Sequence, residues 1–362
     1  MNDQKIEKVE AQTFNEDDSL EIPPGDIVAY NELRSCADLY RMYREDVLQI
    51  QPEFQRNIVW QNPGRTRFID SLIKQLPIPS MCFSLDYKTQ KWQVIDGLQR
   101  ISTIIAFLGD ENWTLSKLDD IDPQLSGKPV REFRSQTDDL YKFYTRIQNL
   151  TLPVTVLRCD LSKKSHSNYL FTIFHRLNTG GMKLNNQEIR NCIYGGSFNV
   201  LLRELAKNLQ WKSLNRSRGG RQDRMQVEEV TLRIFAFNER YEKYSGRLAQ
   251  FLNEYMAERK NPSKEKLLDF ESIFNRTLTL VLGRVLVNKP SGKIGVSLLE
   301  SLMVGVARNL DRLECSDTDL SGYFDRLRAH TEFSETALRE GLAGTARVKG
   351  RLGAAIDLFS RV

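Results

Sequence analysis

Histidine and cysteine are scarce in this chain, and each shortage excludes a chemistry. Of the three histidines, His166, His175 and His330, only one lies beyond residue 175, so an HNH-type nuclease centre cannot be assembled in the second half. The five cysteines, Cys36, Cys82, Cys159, Cys192 and Cys315, form no C-x-x-C pair. Neither a disulfide framework nor a zinc site is therefore expected, and the thiols read as reduced structural residues. A Walker A loop, a G-x-S-x-G elbow and an H-E-x-x-H helix are all absent. No apolar run reaches the roughly 18 residues of a membrane span, and the first residues lack the apolar core of a signal peptide. The expectation is a cytoplasmic protein with no membrane contact. Internal repeats are lacking too.

What is present fits an ordinary globular chain. Its 362 residues suit two domains, and a net charge of +5 is compatible with nucleic-acid contact without indicating it. Residues 1–25 are polar, rich in acidic residues and closed by Pro23-Pro24, which reads as a loosely ordered arm. Strand and helix signals mix up to about residue 195, and beyond it the pattern is almost wholly helical. The expected organisation is an arm over 1–25, a mixed α/β domain over 26–195 and a helical domain over 196–362, giving an α+β fold.

Along the mixed region, the pattern predicts a helix over 35–43 and a strand beginning at Val47 that runs into a turn near Gln55-Arg56. A helix opened by Pro63 follows, with Phe68, Ile69, Leu72, Ile73 and Leu76 as one apolar stripe, ended by Pro77 and Pro79. A second strand spans 80–86. Residues 112–148 are a charged insertion mixing short helix and loop. A strand covers 154–159, and a helix over 165–177 turns Tyr169, Leu170, Ile173, Phe174 and Leu177 inward. That helix exits through Asn178-Thr179-Gly180-Gly181, and the next starts at Asn185 with Glu188 three residues on, an approximate capping box.

The stretch Lys91–Leu108, KWQVIDGLQRISTIIAFL, organises the rest. Trp92–Ile95 has strand composition, Asp96-Gly97 breaks it, and Ile101, Ile104, Ile105 and Leu108 recur at helical spacing. A strand-to-helix turn presents backbone N–H groups and the positive end of a helix dipole at one point, which suits a phosphate. Gly97 would admit a ligand to the backbone, Arg100 adds a forked cation, and Ser102 and Thr103 add hydroxyls. The plainer alternative is a solvated turn in which Asp96 caps the helix.

Three further groups have both a chemical and a plain reading. Gln55-Arg56 with Trp60 could hold a phosphate and stack on a base, or Arg56 could pair with a carboxylate while Trp60 sits in the core. The turn at Asn178-Thr179-Gly180 could form an anion-binding nest or a simple helix cap. Arg216, Arg218, Arg221 and Arg224, set around Gly219-Gly220, could grip a nucleic-acid backbone or form a solvated basic loop.

The order of these segments is more specific than any one of them. Q-x-x-F-Q-R at Gln51–Arg56, a helix ending in Pro77-Ile78-Pro79, a strand, then I-D-G-x-Q-R, and later F-x-R-L-N-T-G-G-x-x-L-x-x-x-E-I-R-N resemble one family. It is typified by the N-terminal half of GmrSD modification-dependent restriction enzymes, whose fold is similar to ParB and sulfiredoxin. The resemblance runs from Leu48 to Cys192, and Val227–Phe237 looks like the family's following helix. The family signature D-G-Q-Q-R stands here as Asp96-Gly97-Leu98-Gln99-Arg100, with Leu98 in place of the first Gln.

That resemblance implies nucleoside-triphosphate binding and hydrolysis with Mg²⁺, coupled to defence against foreign DNA. Asp96, Gln99 and Arg100 would be catalytic, Asp96 also the metal ligand. Gln55, Arg56, Trp60, Gly97, Ser102, Thr103, Asn178, Thr179 and Gly180 would bind nucleotide, and the four loop arginines would bind nucleic acid. Family members commonly carry an HNH domain after this one. The expectation here is a form without it, working with a separately encoded nuclease or other defence subunit, with self-association left open. A ParB-type, non-hydrolysing, nucleotide-switched DNA-binding module is the competing reading. A sulfiredoxin-like phosphotransferase would need a cysteine at the turn, and the nearest, Cys82, reads as strand core.

Overall fold

The computed structural model describes residues 24–50, 60–110, 112–177, 185–215, 225–287, 294–334, 336–338 and 341–362. Its contacts divide into two compact units, one comprising Ile22–Ser167 and the other running from Asn168 to Val362.

The N-terminal unit is built on a five-stranded mixed sheet in the order β1-β5-β3-β4-β2. The strands are β1 (Val28–Ser35), β2 (Leu48–Gln49), β3 (Met81–Asp86), β4 (Lys91–Asp96) and β5 (Thr151–Cys159). β5 pairs antiparallel with β1 and parallel with β3, β3 pairs antiparallel with β4, and β4 pairs parallel with β2. Helices α1 (Cys36–Arg44), α2 (Asn62–Ile73), α3 (Leu98–Gly109), α4 (Val130–Arg134) and α5 (Tyr141–Asn149) supply the rest. Leu39, Ile69, Leu72, Ile101, Ile104, Phe107, Phe133 and Ile147 from these helices join Phe83, Val94, Val154 and Val156 of the sheet in one buried core. Burying each such side chain contributes roughly 1.5 to 3 kcal/mol before entropy is counted, so this layer anchors the β4–α3 junction.

Local signals explain several boundaries. The Ser35 side chain accepts the Asp38 amide and starts α1. Pro153, which the sequence reading placed just before a strand, lies inside β5 opposite Leu33, ahead of the first β3 partner at Val154. Proline suits a position where one side of the ladder is not yet occupied.

Two expected core positions are corrected. α2 ends at Ile73, and Leu76 beyond it is 49% exposed, because the backbone turns through Gln75 at φ +54° and leaves the helical stripe. Leu177, the last residue of α6 (Lys164–Leu177), is 46% exposed, while Phe171, which the stripe omitted, is fully buried. A terminal turn has neighbours on one side only, so periodicity there overstates burial.

The second unit is helical throughout its described residues, apart from an isolated bridge between Asn215 and Ile294. After α6 come α7 (Asn186–Ile193), α8 (Ser197–Ala206), α9 (Leu209–Leu214), α10 (Gln226–Arg240), α11 (Leu248–Glu258) and α12 (Lys264–Leu280). A π-turn over Val281–Val285 precedes α13 (Val296–Arg308), α14 (Leu310–Cys315), α15 (Tyr323–Arg328) and α16 (Thr345–Ser360). The mixed α/β unit followed by helices is the α+β arrangement that the hydrophobic periods indicate. Among the described residues no helix is long and apolar enough to cross a membrane.

Candidate functional site

β4 ends in a bulge. Cys82 faces Asp96 across the β3–β4 pair, while Phe83 faces Val94, leaving Ile95 as the extra residue. A bulge re-aims the side chains that follow it, here at the entry to α3. Gly97 then takes φ +94° and ψ +13° and occupies the N-cap position of α3. A Cβ at Gly97 would lie 2.6 Å from Met81 Cγ, so both the left-handed backbone and the contact with β3 require glycine.

Among the described residues no side chain caps α3. Asp96 is therefore not its cap. Its Oδ2 instead accepts a hydrogen bond from Arg100 Nη2 at 2.8 Å, an i, i+4 ion pair across the turn. The side chain of Asp96 is 39% exposed and that of Arg100 14% exposed. Arg100 also donates to the carbonyls of Pro79 and Ser80, so its guanidinium clamps the segment entering β3 against the motif turn. The sequence offered no sign of these two carbonyls, because their role depends on the β3–β4 pairing.

Gln99 projects from the first turn and accepts the Trp60 backbone amide at 3.2 Å. The Trp60 ring meets Phe68 edge to face at 5.4 Å and packs on the core. Leu98 also packs against the core, so the substitution in the signature faces inward. Ser102 is buried with its Oγ lacking a hydrogen-bond partner among the described residues, and Thr103 is fully buried with its hydroxyl donating to the Gln99 carbonyl at 2.7 Å. Burial pushes the Cys82 thiol up to about 12, with the nearby Asp96 charge adding to the shift, so it is an inert strand residue.

The structure thus gathers Trp60, Asp96, Gly97, Gln99, Arg100, Ser102 and Thr103 on one junction. Gln55, Arg56, Asn178, Thr179, Gly180 and the loop residues Arg216, Arg218, Arg221 and Arg224 lie outside the described residues. Among the described residues, no group of three His, Cys, Asp or Glu side chains could hold a metal. Magnesium commonly takes one or two carboxylates together with phosphate oxygens, and Asp96 fits that minimal role.

Sequence reasoning missed a second constellation, in the helical unit. Glu229 accepts Arg190 Nη1 at 2.9 Å and Arg233 Nη2 at 2.6 Å, and all three are buried. Arg190 also donates to Asn253 at 2.9 Å. The signal was legible: Glu229 and Arg233 stand four apart inside the apolar run VEEVTLRIFAF, where solvated charges do not belong.

A mixed α/β domain with D-G-x-Q-R at a strand–bulge–helix junction is the class that this geometry defines. Residues 36–195 match the family model described as GmrSD restriction endonuclease, N-terminal domain, and this part of the chain is similar to that family. No curated protein and no solved structure matches the chain.

Proposed function

We propose that this chain is the nucleoside-triphosphate-binding and hydrolysing subunit of a modification-dependent restriction system, sensing or acting on DNA beside a separately encoded nuclease or effector. The observation that carries this reading is the D-G-x-Q-R turn at an uncapped helix start within a GmrSD N-terminal domain. The first-turn amides of α3 and its dipole favour a phosphate group. Arg100, which donates to Asp96 and to two carbonyls, exchanges some of these acceptors for phosphate oxygens and neutralises charge on the transferred phosphoryl group. Asp96 would hold Mg²⁺ or orient the attacking water, and the ion, when bound, would supply neutralising charge to the transferred phosphoryl group. Gln99 ties the turn to the segment at Trp60, so occupancy of the turn is felt there. The arginine loop at residues 216–224 supplies backbone contacts to DNA.

Phosphate release from purified chain, with and without modified DNA, tests the reading. Asp96→Asn and Arg100→Ala should each lower turnover by about a hundredfold, with unfolding midpoints measured alongside to confirm folding. Equal turnover in wild type and both folded variants would refute it.

The Asp96–Arg100 pair itself favours a second reading, in which the carboxylate serves the arginine and nucleotide binding switches DNA affinity without hydrolysis. Nucleotide binding without phosphate release, together with a steep loss of DNA affinity as salt rises, would select it.

A further inference from the structure

The two edges of the N-terminal sheet are unequal. At one edge, β2 is two residues long, and a short edge strand offers little to pair with. At the other, β1 pairs with β5 over eight residues in unbroken register, with no bulge. Its sequence, VAYNELRS, holds neither proline nor lysine, two residues that commonly block edge pairing. Val28, Tyr30 and Leu33 on it are 49%, 37% and 68% exposed. Among the described residues, β1 thus forms a sheet edge without proline, lysine or bulge.

We propose that two copies of this chain associate edge to edge through antiparallel β1 strands, joining their sheets. The orientation of the backbone supports this. The Cys36 amide donates to the Leu150 carbonyl at 3.0 Å, which marks that pair as hydrogen-bonded at the end of the β1–β5 ladder. Hydrogen-bonded pairs alternate along an antiparallel ladder, so Val28, Tyr30, Glu32 and Arg34 bond to β5. Pro153, with no N–H to give, lies opposite Leu33 in a non-bonded pair, as this phase requires. The N–H and C=O groups of Ala29, Asn31 and Leu33 and the N–H of Ser35 therefore point outward, away from β5, the Ser35 carbonyl serving the first turn of α1.

Charge selects a second copy as the occupant and fixes the register. The strand carries one acidic residue, Glu32, and one basic residue, Arg34, already paired with each other at 2.6 Å. A two-fold axis at Leu33 sets Glu32 opposite the partner's Arg34 twice, lets Leu33 exchange backbone bonds with its own copy, and lets the Ser35 amide donate to the partner's Asn31 carbonyl. An axis at Glu32 would oppose two carboxylates, which is unfavourable. One strand pair is smaller than a standard interface, so the dimer is reversible and dependent on concentration. The proposal does not rest on the nucleotide site.

Sedimentation velocity of the full chain over a concentration series tests it. The wild type should shift from monomer to dimer, and Leu33→Lys, at an exposed position, should remain monomeric with an unchanged unfolding midpoint. Leu209→Lys, at a leucine 80% exposed on the helical unit, should dimerise like wild type. In a Cys315→Ser background, Leu33→Cys should cross-link to its own copy on mild oxidation. A monomer at every concentration, or a dimer that Leu33→Lys leaves intact, would overturn the proposal.

Discussion

Gly97 and Arg100 show how two residues of one motif answer to different neighbours. The sequence reading attributed the glycine to close approach of a ligand, but Met81 on β3 and the left-handed backbone already demand it. No sequence signal joins positions 81 and 97, since they meet only through strand pairing. Gly97→Ala should destabilise the chain by about 1 to 3 kcal/mol in urea, and adding Met81→Ala should cost less than the two single changes summed. Asp26 carries a pH prediction. Hydrogen bonds from Lys163 and His166 lower its carboxyl from 3.8 to about 2. The folded value lies below the unfolded one, so its contribution is complete above 3.8 and is lost as pH falls through about 2. Acid unfolding of Asp26→Asn should accordingly differ from wild type above that window and converge with it below. Thiol labelling probes burial directly: Cys36, Cys82 and Cys159 are pushed up to about 12 and Cys192 well above 9, all by burial, whereas Cys315 is exposed. One thiol should react in native protein and five after unfolding; several reacting at once in native protein would contradict this packing.

At the scale of elements, legibility followed amphipathicity. α3 was readable because Ile101, Ile104 and Leu108 bury one stripe, and α7 because Asn185 and Glu188 cap each other at 2.9 and 2.8 Å. β1 went unread, since Val28, Tyr30 and Leu33 remain exposed and its order comes from backbone pairing to β5, more than a hundred residues away. The bulge at Ile95, which aims Asp96 across from Cys82, was equally invisible, being a mismatch of register between two strands. Asn185→Ala should lower stability by about 1 kcal/mol in urea denaturation, and no change would show that the capping box contributes nothing.

At the scale of the whole molecule, the chain couples a motif-bearing α/β unit to a helical unit held by buried charge. Glu229 neutralises two arginines inside that second unit, and Glu229→Gln removes that charge, leaving Arg190 among the neutral side chains of Gln187 and Asn253 and Arg233 with Glu300 at 3.7 Å. The expected cost is about 3 to 5 kcal/mol, read from the unfolding midpoint; a cost near zero would mean that water or another carboxylate replaces it. The organisation around the β4–α3 turn was legible because its parts keep a fixed order along the chain, whereas the clamp of Arg100 on Pro79 and Ser80 was not, being a contact between side chain and carbonyls. The central claim is that this turn receives the phosphates of a nucleotide. Backbone amide resonances recorded while Mg²⁺ and a nucleoside triphosphate are titrated into the intact chain test it most directly. Gly97, Leu98, Gln99 and Arg100 should shift together and saturate, with Trp60 following through Gln99; saturable binding that leaves all five unmoved would contradict the account.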